Sequence, residues 1–230
     1  MDDPSAALKK RVGEAAASLV EDGMVVGLGT GSTAAFMIDS LGERVKQGLR
    51  IVGIPTSSRS EAQARGWGIE IVSFATHPQI DLTIDGADEI ERGTLHLVKG
   101  LGGALLREKI VAAASKRMVV VADDSKMVDR LGEHTAVPIE VSPFGWESAA
   151  RQLGELGGRP TPRRDRNGTL FVTDGGNMIL DCAFGPIPDP AGLEAGIRSI
   201  VGVFESGLFI SRASLALVAS VGGVNRYEVA

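Results

Sequence analysis

Apolar residues recur along the chain at two spacings, one typical of helices and one typical of strands. Within residues 6–20, Leu8, Val12 and Leu19 recur at helical spacing, which predicts an amphipathic helix. Short apolar runs bounded by glycine, such as residues 24–28, are too short for a helix and predict buried strands. The two patterns alternate up to residue 122. The predicted helices are 6–20, 33–47, 57–65 and 103–116, and the predicted strands are 24–28, 50–54, 69–74, 81–84, 95–98 and 118–122.

Beyond residue 130 the order of predicted elements changes to strand, helix, strand, strand, helix, strand. This order is that of the ferredoxin-like unit, with one of the middle strands interpreted as an extension of a hairpin. We also expect the apolar runs 207–210 and 215–219 to return to the first sheet. In the small unit the predicted strands are 137–141, 159–164, 169–172, 178–182 and one near residue 203, and the predicted helices are 145–156 and 190–200.

These patterns predict an α/β fold with two domains. Strands that alternate with helices form mostly parallel sheets that are covered on both faces. We therefore predict a Rossmann-like main domain with an open sheet, made of residues 1–129 and 206–230. A ferredoxin-like α+β lid domain, residues 130–205, is predicted to be inserted into it.

Composition narrows the class of protein. The 230 residues are 43% hydrophobic and 23% charged, which suffices for a folded core. The net charge is -5 without a long basic run, which argues against nucleic acid as the main partner but leaves room for a local basic pocket that binds a small anion. The single cysteine, Cys182, fits a reducing compartment. Since no apolar run approaches the ~20 residues of a membrane span, we predict a soluble, cytoplasmic protein that does not bind membranes.

The first glycine-rich turn, residues 27–33, lies between a predicted strand and a predicted helix. The backbone N–H groups at such a helix start bind phosphate, and the hydroxyls of Thr30, Ser32 and Thr33 would assist them. A dinucleotide or methyl-donor site is a weaker alternative, because a Rossmann cofactor site also needs an acidic residue about 20 residues further on. Residues 53–56, where that acid would stand, contain none. A turn that merely caps the helix is the other alternative.

Two aspartates follow the predicted strand 81–84. Asp85 lies at the carboxyl end of that strand, where ligands of open α/β sheets bind. Gly86 permits a sharp turn that brings Asp88 back towards Asp85. Two close carboxylates raise the pKa of one of them, which suits acid and base chemistry near neutral pH. The alternative is that Asp88 and Glu89 only cap a turn.

The second glycine-rich turn begins with Lys99, whose charge suits an oxyanion or a phosphate. Glu108, nine residues later, falls on a small and apolar stripe of the predicted helix, so partial burial would raise its pKa towards that of a general base. A solvated face formed by Arg107, Glu108 and Lys109 is the alternative. Lys126 follows the next strand and could reach the same sheet edge, although by itself its position favours a surface lysine. The three histidines, His77, His96 and His134, are scattered, so we expect no metal site. The missing acidic residue after the second strand agrees with the expectation of no redox cofactor.

Four motifs, in this order and spacing, resemble the A type of ribose-5-phosphate isomerase. They are GLGTGSTA at 27–34, DGADEI at 85–90, KGLGGALLREKI at 99–110 and DDSK at 123–126. The resemblance extends along nearly the whole chain. It implies an α/β main domain with a ferredoxin-like lid, no metal, and a homo-oligomer, either a dimer or a tetramer. It also implies the interconversion of ribose 5-phosphate and ribulose 5-phosphate in the non-oxidative pentose phosphate pathway.

The resemblance also implies roles for individual residues. Glu108 would be the base that moves a proton between C1 and C2 of the sugar, with Asp85, Asp88 and Lys99 as the other catalytic groups. Leu101 stands where many members of the family have glycine, a departure that concerns backbone flexibility. The substrate-binding residues would be Thr30, Gly31, Ser32, Thr33, Asp85, Gly86, Ala87, Asp88, Lys99, Gly100, Leu101, Gly102 and Lys126.

The sequence therefore leads to the hypothesis of an aldose–ketose isomerase that acts through an enediol or enediolate. Lys99 and backbone N–H groups would stabilise the oxyanion, and Asp85 and Asp88 would hold sugar hydroxyls and assist ring opening. Two alternatives stay open. One is a sugar-phosphate-sensing domain of a regulator, which would bind without turnover. The other is a different enzyme on a similar fold, such as an amino-sugar phosphate deaminase or a CoA transferase.

Overall fold

The computed structural model describes residues 4–229 and contains fifteen strands in that range. They form a seven-stranded sheet and two four-stranded sheets. The strands are β1 (Val25–Leu28), β2 (Val52–Pro55), β3 (Glu70–Ile71), β4 (Leu82–Gly86), β5 (Glu89–Glu91), β6 (Leu97–Val98), β7 (Met118–Asp123), β8 (Met127–Val128), β9 (Val137–Val141), β10 (Arg159–Pro162), β11 (Met178–Ala183), β12 (Val203–Ser206), β13 (Leu208–Phe209), β14 (Leu215–Ser220) and β15 (Gly223–Glu228).

Six α-helices and one short 3₁₀ turn, Asp124–Lys126, accompany the strands within the described residues. None of the helices in that range has the length and apolar character that crossing a bilayer requires. The helices are α1 (Pro4–Ala17), α2 (Ser32–Lys46), α3 (Ser58–Gly66), α4 (Leu105–Ala113), α5 (Trp146–Glu155) and α6 (Pro190–Arg198).

The large sheet has the strand order β3-β2-β1-β4-β7-β14-β15. All neighbours pair in parallel except β14 and β15. After β1 the chain moves outward to β2 and β3, and it then returns to place β4 on the other side of β1. The strand order therefore reverses between β1 and β4, and the crevice beyond their carboxyl ends is the usual ligand site of such sheets.

The second sheet has the order β10-β11-β9-β12, and every pair in it is antiparallel. With α5 after its first strand and α6 before its last, this is the ferredoxin-like order, and we call residues 137–206 the ferredoxin-like unit. Its apolar core contains Ile139, Leu153, Leu180 and Ile197 and is separate from the core beneath the large sheet. The predicted fold class is thus confirmed, whereas the division of the chain at residues 130 and 205 stays a prediction.

The third sheet, β13-β6-β5-β8, was not predicted. The runs 95–98 and 207–210 were expected in the large sheet, but β6 and β13 pair antiparallel with each other in the third one. Ten residues, 87–96, separate β4 from β6 and include β5, whereas a parallel partner would need a crossover of a dozen residues or more. The expectation for 215–219 is confirmed, since β14 pairs in parallel with β7.

One further expectation was wrong, and one strand was not predicted. Residues 169–172 form no strand; Leu170 and Val172 make only isolated bridges, within an irregular arm between β10 and β11. Residues 223–228, for which no strand was predicted, form β15, which closes the edge of the large sheet in a hairpin with β14. None of the residues of β15 is fully buried, so the segment contains no apolar run that would predict a strand.

The ferredoxin-like unit is attached to the large-sheet half through helix α4. Lys109, which is buried, donates hydrogen bonds to Glu194 of α6 and Glu205 of β12, both at 2.9 Å. On the neighbouring face Arg107 forms an ion pair of 3.2 Å with Asp174. Asp174 also accepts a hydrogen bond of 2.8 Å from the N–H of Ser58, at the start of α3. The helix that carries Glu108 is therefore held from the ferredoxin-like side.

Candidate active site

A cavity of about 150 Å³ lies in the crevice where the strand order reverses. It brings together the loops after β1 and β4, the turn after β6, the first turn of α4 and the 3₁₀ turn after β7. Twelve of the fourteen predicted site residues line it, and Asp85 and Leu101 do not. The lining residues are Lys9, Thr30, Gly31, Ser32, Thr33, Gly86, Ala87, Asp88, Lys99, Gly100, Gly102, Glu108, Ala122, Asp123 and Lys126.

The first glycine loop is fastened to strand β4 rather than to its own helix. The N–H of Thr30 donates a hydrogen bond of 2.9 Å to Oδ1 of Asp85. Gly29 passes so close to Asp85 that a Cβ on it would lie 2.4 Å from the same oxygen. Gly31, with φ of 114°, turns the chain into α2 without a side-chain cap. The first N–H groups of α2, which have no partner inside the helix, thus remain for a ligand in the cavity.

The hydroxyl of Thr30 does not serve the cavity as the sequence suggested. It lies in a buried hydroxyl cluster, 2.7 Å from the hydroxyl of Thr56 and 2.8 Å from that of Ser57. Ser60 completes the cluster and donates to the carbonyl of Gly29 at 2.7 Å. These bonds support the loop from below, so Thr30 offers the cavity its backbone and methyl group.

Asp85, Lys99 and Glu108 form a buried charged group at the base of the cavity. Nζ of Lys99 is 3.1 Å from Oδ2 of Asp85 and 3.4 Å from Oε2 of Glu108. All three side chains are at most 4% exposed. Oδ2 of Asp85 and Oε2 of Glu108 accept no well-aligned hydrogen bond from the described residues. The attraction of these two oxygens to Lys99 is therefore mainly that of opposite charges. Nζ of Lys99 donates a hydrogen bond of 2.6 Å to the carbonyl of Gly86.

Burial and the neighbouring charges shift the pKa of each member of this group. The pKa of Glu108 is raised to about 8, chiefly by desolvation; the charge of Lys99 opposes this rise, and the charges of Asp85 and Asp88 contribute to it. Desolvation also raises the pKa of Asp85, against the opposing effects of Lys99 and of the N–H groups of Thr30 and Gly86. Burial alone would lower the pKa of Lys99, but Asp85, Glu108 and Asp88 together raise it. The site therefore holds a permanent cation beside a carboxyl group that titrates near neutral pH.

Glu108 is only 3% exposed, so the alternative of a solvated Arg-Glu-Lys face does not hold for it. It lies in the first turn of α4, where the helix dipole favours a negative charge.

Asp88 does not merely cap its own turn. Its Oδ2 accepts a hydrogen bond of 2.9 Å from the N–H of Leu101. This bond holds the second glycine-rich turn against the loop that follows β4.

Sequence reasoning missed three residues of the cavity, Lys9, Ala122 and Asp123. Lys9 comes from helix α1, and nothing in its spacing distinguishes it from Lys10 beside it. Asp123 ends strand β7, and its Oδ1 accepts hydrogen bonds from the N–H of Ser125, at 3.1 Å, and from the Ser125 hydroxyl. Asp123 thereby shapes the short turn that presents Lys126 to the cavity. The repeated aspartate in the DDSK motif was the available signal.

Comparisons with known proteins agree with this geometry. Residues 52–223 match the family model for ribose 5-phosphate isomerase A, also called phosphoriboisomerase A. The chain belongs to the ribose 5-phosphate isomerase A family. It is 58% identical over 221 residues to ribose-5-phosphate isomerase A of Gluconobacter oxydans, with 96% of both chains covered. It is 57% identical over 217 residues to the Gloeobacter violaceus enzyme, with 94% of each covered.

Solved structures of this family have the same fold. The ribose 5-phosphate isomerase A of Methanocaldococcus jannaschii superposes with a TM-score of 0.92 at 42% identity, covering 96% of this chain and 98% of that one. A ribose-5-phosphate isomerase in complex with phospho-erythronic acid superposes with a TM-score of 0.94 at 38% identity, covering 99% of this chain and all of the other.

Leu101, the departure noted in the family motif, lies outside the cavity. Its side chain is 50% exposed, and its backbone does not have the positive φ that Gly100 and Gly103 adopt. A leucine is therefore compatible with the loop, because the position requires neither close approach nor a left-handed conformation.

Proposed function

We propose that this protein interconverts D-ribose 5-phosphate and D-ribulose 5-phosphate, as an aldose–ketose isomerase of the non-oxidative pentose phosphate pathway. The observation that carries this proposal is a buried carboxyl group of raised pKa, Glu108, beside a buried lysine in a cavity that opens onto a helix N-terminus. These parts suit proton transfer on an anionic sugar. Membership of the isomerase family supports the choice of substrate.

The phosphate group would bind at the start of α2. There the backbone N–H groups of Gly31, Ser32 and Thr33 and the helix dipole favour an anion. Lys9 and Lys126 line the same cavity from α1 and the 3₁₀ turn. Two lysines and a helix start provide the positive charge that a phosphate needs.

The reacting carbons would then lie at the opposite end of the cavity, beside Glu108. Its carboxylate removes the proton from C2 of the open-chain aldose, and the C1 carbonyl becomes an enediolate. Glu108 then delivers a proton, which can exchange with solvent while the enediolate exists, to C1 to give the ketose. One hydroxyl proton leaves O2 and one arrives at O1, so no redox change of the protein is needed. Lys99 stabilises the negative oxygen during this transfer. A base with a pKa near the working pH serves both the removal and the return of the proton.

The two aspartates have different surroundings, and we assign them different roles. Asp85 is fully buried, and its Oδ1 already accepts hydrogen bonds from the N–H groups of Thr30 and Gly86. We propose that it positions Lys99 and the first loop rather than a sugar hydroxyl. Asp88 lines the cavity and uses only Oδ2 for Leu101. Its other oxygen would hold a sugar hydroxyl and assist ring opening.

We further propose that the protein acts in the cytoplasm as a homo-oligomer, either a dimer or a tetramer. Cys182 is a free, buried thiol, which is consistent with a reducing compartment. Phe144 and Val201, in the ferredoxin-like unit, are 92% and 90% exposed, and a second subunit would remove such apolar surface from water.

The decisive experiment incubates the purified protein with ribose 5-phosphate in D₂O, without added metal, and follows the sugars by NMR. We expect ribulose 5-phosphate with deuterium at the exchanging carbon, because an enediolate intermediate exchanges its proton with solvent. Product without deuterium would keep the isomerase and contradict the exchanging intermediate. Binding without turnover would instead support the sugar-phosphate sensor, and a trapped protein thioester would support the CoA transferase.

A further inference from the structure

The second glycine loop of the cavity is held from the ferredoxin-like unit by one side chain. Nη1 of Arg163 donates hydrogen bonds to two successive carbonyls of that loop, 2.9 Å to Gly100 and 3.1 Å to Leu101. Arg163 directly follows β10 and is distant in sequence from the four motifs that carry the family resemblance. It does not line the cavity and was not among the predicted site residues.

These two bonds determine which way the loop's N–H groups face. In a trans peptide the C=O of one residue and the N–H of the next point in opposite directions. Because the Gly100 carbonyl faces Arg163, the N–H of Leu101 faces the other way, and it meets Asp88 at 2.9 Å. Because the Leu101 carbonyl also faces Arg163, the N–H of Gly102 points to the side of Asp88. Gly102 lines the cavity, and within residues 4–229 its N–H has no protein acceptor.

The guanidinium group is itself held in place. Asp181 on β11 accepts hydrogen bonds from Nε of Arg163, at 2.9 Å, and from Nη2. The side chain of Arg163 is 11% exposed and stands over the ring of Phe171, 5.8 Å from its centroid. Phe171 packs so closely on Gly103 that a Cβ there would lie 2.4 Å from the ring. A planar group with a fork of donors can bond to a carboxylate on one edge and to carbonyls on the other, which lysine cannot do.

We propose that Arg163 is a positioning residue for the isomerisation, acting from the ferredoxin-like unit. By binding the carbonyls of Gly100 and Leu101, it turns the N–H of Gly102 into the cavity as a donor to the enediolate oxygen, next to Lys99. This inference rests on the proposed function. A donor aimed at the developing charge contributes to the transition state and little to the binding of substrate.

The test compares Arg163→Lys with Arg164→Lys, the same substitution one residue later. Within residues 4–229 the side chain of Arg164 donates only within its own turn, to the carbonyl of Gly168 at 2.7 Å. Lysine at 163 keeps a cation for Asp181, so the fold is retained, but it cannot hold both carbonyls as well. We expect kcat to fall about 10-fold to 100-fold at nearly constant KM, since loss of one oxyanion donor costs roughly 10²–10³-fold. Arg164→Lys should match the wild type.

Two inhibitors separate positioning from general damage to the site. Phospho-erythronic acid carries a carboxylate where the enediolate charge develops, whereas inorganic phosphate occupies only the phosphate end. In Arg163→Lys the inhibition constant of phospho-erythronic acid should rise by about the factor lost in kcat, and that of phosphate should stay unchanged. Equal weakening of both inhibitors, or kinetics equal to those of Arg164→Lys, would overturn the inference.

The outcomes also distinguish this inference from the proposed function. A wild-type protein without isomerase activity would contradict the proposed function before any variant is compared. An active wild type with an unaffected Arg163→Lys variant would leave the isomerase in place and remove only the role of Arg163. Arg163→Ala provides a second measurement. It should lower kcat at least as far as Arg163→Lys, and a smaller loss would contradict the inference.

Discussion

The two glycine-rich loops of the cavity are similar in sequence but are supported in different ways. The first, residues 27–33, continues into α2 and is held by parts of the large-sheet half alone, namely Asp85 and the hydroxyls of Thr56, Ser57 and Ser60. The second, residues 99–103, is held between the two halves, by Asp88 on one side and Arg163 on the other.

This difference matches the task that we propose for each loop. Binding of phosphate requires a rigid array of N–H groups, which a strand, a turn and a helix start provide from one continuous segment. The reacting end requires a base, a cation and an oxyanion donor that all face the same atoms of the substrate. Here these groups are positioned by contacts between segments that are distant in sequence. Changes at the second loop should therefore lower kcat, whereas changes at the first should raise KM or lower stability.

The largest effect is expected at Glu108. Glu108→Gln retains the size of the side chain but removes the base, so kcat should fall by 10²-fold or more, on the scale of ~10²–10⁴-fold for a positioned base. KM should change little, because the phosphate end is untouched. Steady-state kinetics with ribose 5-phosphate measure both. Near-normal turnover of a correctly folded variant would contradict the role of Glu108.

A substantial effect of pH on stability is also expected at this residue. In the folded protein the pKa of Glu108 is raised from 4.5 to about 8, so the folded state holds a proton that the unfolded state has released. Stability should therefore fall as pH rises from about 4.5 to about 8. At ~1.4 kcal/mol per unit of pKa difference, the loss is on the order of a few kcal/mol.

Urea unfolding at pH 5 and pH 8.5, for the wild type and Glu108→Gln, measures this contribution. The variant cannot titrate at position 108, so it should lose less stability between the two pH values than the wild type. Equal losses in the two proteins would show that Glu108 is charged in the folded state at low pH.

An intermediate effect is expected at the phosphate end. Lys9→Ala removes a cation that lines the cavity, so KM should rise about 10-fold, in line with the ~1.5–3 kcal/mol of a hydrogen bond to a charged group. The value of kcat should change less. Lys10→Ala is the matched control, because Lys10 is exposed and faces Glu14 at 3.9 Å. Equal kinetics for the two variants would remove Lys9 from the phosphate site.

The smallest effect is expected beneath the first loop. Thr30→Val keeps the shape of the side chain and removes its hydroxyl from the buried cluster with Thr56 and Ser57. The free energy of unfolding should fall by about 1 kcal/mol, with KM raised a few-fold and kcat nearly unchanged. Thr30→Ser, which retains the hydroxyl, should be closer to the wild type in stability. A large fall in kcat would mean that the loops do not divide their tasks as proposed.

Most of the fold followed from local patterns. Alternating apolar runs predicted the helices and the central parallel strands, because burial on both faces leaves continuous apolar segments in the sequence. The errors fell on short antiparallel pieces, such as β6, β13 and β15. Two to six residues that form one edge or one hairpin carry little periodicity of their own, so pairing decided their place.

For the candidate site, the sequence by itself determined the reactive residue types, their order, and the turns that glycine permits at Gly31 and Gly100. These are local properties of a strand, a turn and a helix start. Only the tertiary structure decided that Thr30 turns its hydroxyl inward, that Lys9 enters the cavity, and that Arg163 holds the second loop. The contact of Thr30 with Thr56 spans 26 residues of the chain, and that of Arg163 with Gly100 spans 63. No local pattern encodes them, because they arise only when the sheets and helices pack together.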